Sequence, residues 1–142
     1  MQRRKAIKVI ASIATLLSGR CAFGQQNALD TRYTNWDALL KKHVRWLPDG
    51  VQSRVDYTGF AADRAALQQV LAQWSAVTPA QFQALPKPEQ MAFLINAYNG
   101  FTVELILTQY PKLKSIKDLG SIVQSAWKKK FFNLLGEQRH LD

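Results

Sequence analysis

From Glu89 to Tyr110 the chain runs without a proline, between Pro86 and Pro88 on one side and Pro111 on the other. Its residues are apolar nearly all round a helix of 3.6 residues per turn. That stretch constrains the fold more than any other, because such a helix has to find a home for most of its surface. Glu89, Ala92, Asn96, Asn99, Gly100, Val103 and Leu107 fall on one face, and Met91, Phe93, Leu94, Ile95, Phe101, Leu105 and Ile106 on the others. The expectation is a central helix buried on every side, whose small residues let another backbone come close. Asparagine costs about 0.5 kcal/mol against alanine inside a helix, so Asn96 and Asn99, nearly one turn apart, imply a use. Either they bond to loop backbone, as buried amides generally do, or they line a pocket with Glu89, Tyr98 or Glu104. Glu104, a carboxylate deep in an apolar helix, needs a basic partner or a shifted pKa.

The flanking segments supply the rest of an α+β, predominantly helical fold, with about four helices around the central one and a β-hairpin at the C-terminus. Thr34 or Asn35 can cap a first helix whose apolar positions Trp36, Leu39, Leu40, His43, Val44 and Leu47 recur at helical spacing, and Pro48-Asp49-Gly50 ends it. Val51 to Tyr57 reads as a short extended segment. A second helix spans about Ala61 to Trp74 with Leu67, Val70, Leu71 and Trp74 on one stripe. Thr78-Pro79-Ala80-Gln81 is a capping box with proline at the first helical position, opening a short helix that carries Phe82 and Leu85. The central helix then starts near Glu89 and stops before Pro111. Ser115-Ile116-Lys117-Asp118 has the spacing of a second capping box, closed by Gly120. Phe131 to Leu141 reads as a hairpin turning at Gly136-Glu137.

Residues 1–24 have the form of an export signal: a basic start (Arg3, Arg4, Lys5, Lys8), an apolar run from Val9 to Leu17, and Ala22 and Gly24 at cleavage-site spacing. Cleavage is expected before Gln25, which leaves a polar lead over 25–33 and one domain over 34–142. A retained membrane span would need about 20 apolar residues, and Arg20 closes the run well short of that. The expected address is therefore periplasmic or secreted, with no stable membrane span after cleavage. The pair Arg3-Arg4 weakly resembles a twin-arginine signal.

Removing the signal takes five of the 19 basic residues and none of the 10 acidic ones, so the net charge drops from +9 to +4. That field is too weak to argue for nucleic acid. The run Lys128-Lys129-Lys130 between Trp127 and Phe131 reads as a solvated face. Cys21, the only cysteine, leaves with the signal, so no disulfide or thiolate is expected in the mature chain. His43 and His140 are the only histidines, and no cluster has metal-ligand spacing. No metal and no cofactor is expected. A hydrophobic content of 47%, with four tryptophans and seven phenylalanines, is ample for one core.

Over about Trp36 to Asp142 the chain resembles the family catalogued as domain of unknown function 547. The residues that carry the likeness are Trp36 with Leu39-Leu40 and Val44, then Val55-Asp56-Tyr57, then Gln90 to Gly100 with its Ala-Phe-x-x-Asn-x-Tyr-Asn core. Tyr110-Pro111, Ser115 to Asp118, Trp127 and Phe131 to Leu141 continue it. The family continues past the position of Asp142 with a Glu-His pair and a segment containing histidine and cysteine. The resemblance thus implies that this sequence is the N-terminal portion of a larger, incomplete domain, with no catalytic residue assigned. Its implied role is a binding or scaffold module of the cell envelope, partnered by the missing C-terminal half or by an envelope protein. The alternative is a hydrolase or acyl-transfer enzyme whose reactive residues lie in the absent half, in which case no activity is expected of this portion alone.

Overall fold

The computed structural model describes residues 29–113 and 130–141. The elements run α1 (Thr34–His43), β1 (Val44–Trp46), β2 (Ser53–Val55), α2 (Tyr57–Ala62), α3 (Arg64–Ser75), α4 (Pro79–Gln83), α5 (Lys87–Leu107), β3 (Phe132–Leu134) and β4 (Glu137–Arg139). The fold is α+β and predominantly helical, with two small antiparallel hairpins. The export signal with Cys21, the second capping box, Gly120, Trp127 and Lys128-Lys129 lie outside the described residues. Among the described residues no helix is long and apolar enough to cross a membrane.

The first helix is shorter than its periodicity suggests. At Val44 the chain turns extended, and Val44, Arg45 and Trp46 pair with Val55, Arg54 and Ser53. The segment Pro48-Asp49-Gly50 is therefore the turn of a hairpin and not simply a helix stop. The Asp49 carboxylate accepts from the backbone N–H groups of Val51 (3.0 Å) and Gln52 (3.1 Å), which draws its pKa down, and Gly50 takes φ +66°. The helix start also differs from expectation. Tyr33 occupies the cap position at φ 52° without capping, and the Asp30 carboxylate reaches forward to the N–H groups of Thr34 (2.8 Å) and Arg32 (3.0 Å). These bonds hold the Asp30 pKa low.

A fifth helix, α2, stands where the extended segment was expected to end. Asp56 caps it by accepting from the Gly59 N–H at 3.0 Å. Asp63 then separates α2 from α3 and meets two side chains of α1: Lys42 Nζ at 2.6 Å and the buried His43 Nε2 at 2.7 Å. Lys42 first and His43 second pull the Asp63 carboxyl below its usual range. The capping box at α4 forms in full, with the Thr78 hydroxyl on the Gln81 N–H and the Gln81 side chain back on the Thr78 N–H.

Phe60, Leu67 and Phe93 are the largest fully buried side chains, each worth about 1.5–3 kcal/mol of burial. Trp36 packs edge-on to Trp74 at 5.7 Å. The close approach anticipated at small residues occurs at Gly100, where an added Cβ would stand 2.7 Å from Trp74 and 3.0 Å from Leu71. This is where α3 crosses α5. The C-terminal hairpin turns one residue earlier than expected, at Leu135 and Gly136, both with positive φ as a two-residue primed turn demands. Its Phe132 ring stacks on Phe101 at 3.9 Å, which fixes the hairpin to the C-terminal half of α5.

Candidate functional site

The five polar residues singled out on the central helix do not converge. Asn96 is half-buried, and its Oδ1 accepts from the Trp36 indole N–H at 3.2 Å, tying α5 to α1. Glu104 finds the basic partner it needs: Arg64 reaches it through Nη2 (2.8 Å) and Nε, with Gln68 Nε2 adding a bond at 3.2 Å. The pair joins α3 to α5, and Glu104 keeps the Arg64 guanidinium firmly protonated. Glu89 is half-buried in the first turn of α5. Asn99 is exposed, and Tyr98 lies on the far side of the helix with nearly half its surface open. The amide that ties down a loop is Gln90, buried, whose Nε2 donates to the carbonyls of Leu85 (2.8 Å) and Gln83 (3.4 Å).

Around Asn96 the structure adds Tyr33, a residue without motif or periodicity to mark it. A bulky side chain at positive φ costs about 1–2 kcal/mol. The phenol is pushed above its usual pKa by burial, against the Asn96 amide and near Glu89. Its hydroxyl is nonetheless the one buried side-chain polar atom among the described residues that has no hydrogen bond of good geometry. A cavity of about 460 Å³ lies beside it, walled by Tyr33, Trp36, Trp74 and Val77, with Asp30 and Gln81 among its polar lining. None of Glu89, Asn96, Tyr98, Asn99 and Glu104 lines that cavity.

The expectation that α5 is buried on every side is not met. Met91, Leu94, Ile95 and Tyr98 stand 60%, 41%, 53% and 48% exposed. They are spaced i, i+3, i+4, i+7 and so form one continuous stripe. The physical reason is geometric: α2, α3 and the C-terminal hairpin all pack against the opposite side of the helix. From Gln90 to Val103 the helix has no charged residue, so the stripe lacks the charges that usually solvate an exposed face. Among the described residues no group of His, Cys, Asp and Glu could hold a metal ion.

No family model, no curated protein and no solved structure matches the chain.

Proposed function

We propose that this chain is an exported binding module of the cell envelope, which docks through the outer face of α5 onto an uncharged, apolar helix of another envelope polypeptide. The observation that carries this reading is the stripe Met91, Leu94, Ile95 and Tyr98, a set of large apolar side chains held open on a rigid helix. An apolar helix laid along such a face is a recurrent mode of recognition. Taking ~200 Å² for each side chain when fully exposed, the four present roughly 400 Å², about half of one partner's share of a standard interface. Two copies meeting stripe to stripe would fall short of a stable dimer. Both copies would also be positively charged, at +9 or at +4 after signal removal, so self-association is opposed over the rest of the surface. A partner that covers the stripe and its surroundings fits better.

Membership of the family of domain of unknown function 547 belongs to the same proposal, since the motif from Gln90 to Gly100 is the helix in question. The alternative, an enzyme completed by polypeptide outside this sequence, draws less support. Asn96 and Glu104 are committed to holding α1 and α3, and Asn99 faces outward.

The test places a photo-reactive benzoylphenylalanine at position 95 of the full chain in its native cell. An adduct mapped by mass spectrometry to an apolar, uncharged segment of another envelope polypeptide, and lost on Leu94→Glu, is the expected result. Adducts only to a second copy, or none, overturn the docking surface. The address is checked on the same material: the N-terminus should be Gln25, and retention of Met1 would refute export by cleavage.

A further inference from the structure

The register of the first hairpin sets Arg45 directly opposite Arg54. Like charges in opposed positions of an antiparallel pair repel, because their Cβ atoms stand about 5 Å apart. Neither guanidinium makes an ion pair or hydrogen bond within the described residues. The carboxylates nearby in the fold are committed elsewhere. Asp56 caps α2, Asp49 closes the hairpin turn, and Asp63 is held by Lys42 and His43. Two cations are thus built into one small hairpin with no carboxylate paired to either among the described residues.

Both arginines line a cavity of about 380 Å³ whose other walls include Tyr57, Thr58 and Tyr110. The Thr58 and Tyr110 hydroxyls are hydrogen-bonded to each other, which brings the start of α2 against the turn that follows α5. Tyr57 is partly buried, and burial raises its phenol pKa, so the group stays an O–H donor. Two guanidinium forks and hydroxyl donors around one space suit an oxyanion with several acceptor oxygens. The rings of Tyr57 and Tyr110 offer apolar surface beside it.

We propose that this cleft binds a phosphate monoester, with Arg45 and Arg54 clamping the phosphoryl oxygens and the tyrosine rings packing on the attached organic group. The repulsion between the two arginines is then relieved by the ligand. Asp56, also in the lining, has its Oδ1 engaged by the Gly59 N–H.

The experiment uses the full chain at constant ionic strength. Inorganic phosphate and glycerol 3-phosphate are titrated against chloride, with binding by calorimetry and melting temperature followed together. Both phosphates should bind and raise the melting temperature where chloride does not. Arg45→Gln and Arg54→Gln should each weaken binding about tenfold, the loss expected for one charge-assisted contact. Arg139→Gln, an exposed arginine on the other hairpin paired with Glu137, should change nothing. Without phosphate, Arg54→Gln should melt no lower than the parent, because it removes a repulsion. Vesicles of phosphatidic acid against phosphatidylcholine separate the two sources of the group: binding confined to phosphatidic acid assigns a lipid headgroup, and binding to glycerol 3-phosphate in solution assigns a soluble ester. Equal shifts with chloride, undiminished binding in the Arg45→Gln/Arg54→Gln double variant, or binding to none of the probes would overturn the proposal.

Discussion

The two sides of α5 are both largely apolar and have opposite fates. On the inner side Phe93, Ala97, Gly100 and Phe101 are buried against α2, α3 and the C-terminal hairpin, while on the outer side Met91, Leu94, Ile95 and Tyr98 stand open. One difference is shape. The inner face alternates large rings with residues small enough for Trp74 to lie within van der Waals reach of Gly100, whereas the outer face is uniformly large. The comparison teaches that apolar character marks a helix as needing cover, and that graded side-chain size along one face marks where the cover already is.

Substitutions along α5 can break or sharpen that contrast. Phe93→Ala empties the centre of the core and should cost about 3–5 kcal/mol in denaturant unfolding. Gly100→Ala drives a methyl group into Trp74, and a loss of about 1–3 kcal/mol is expected; a neutral result would mean that α3 and α5 are not in close contact. Asn96→Ala removes the acceptor of the Trp36 indole, so unfolding should reveal a loss of about 1 kcal/mol, partly offset by the better helix propensity of alanine. Ile95→Ala on the outer face should move stability by no more than about 0.5 kcal/mol. A loss at Ile95 comparable to that at Phe93 would erase the distinction between the faces and with it the docking surface.

Much of the local structure was legible because it is local. The Thr78–Gln81 box, the stop before Pro111 and the stripe Leu67, Val70, Leu71 and Trp74 all depend on residues within a turn or two of each other, and all three form. Val44 to Trp46 was misread as helix because its spacing fits both periods, and the deciding contact is the backbone of Ser53 to Val55 across the turn. Tyr57 to Ala62 was missed as a helix because it is short, although Asp56 three residues before Gly59 was a readable cap. Of the polar residues on α5, the salt-bridge expectation for Glu104 held, since a part-buried carboxylate admits few other solutions. Tyr33 carried no signal at all, because its place beside Asn96 is set by how α1 lies on α5.

The amino-acid sequence by itself determined much of the punctuation, such as the Thr78–Gln81 box and the stop before Pro111, and that a long, largely apolar helix sits at the centre of an α+β chain. Caps, prolines and glycines act through backbone groups a few residues away, so that part of the information is local to the string. The tertiary structure alone decided which side of α5 is covered, that Asn96 meets an indole 60 residues distant, and that Arg45 faces Arg54 over an open cleft. Those outcomes depend on how rigid elements share one core, and no local spacing encodes which neighbour arrives.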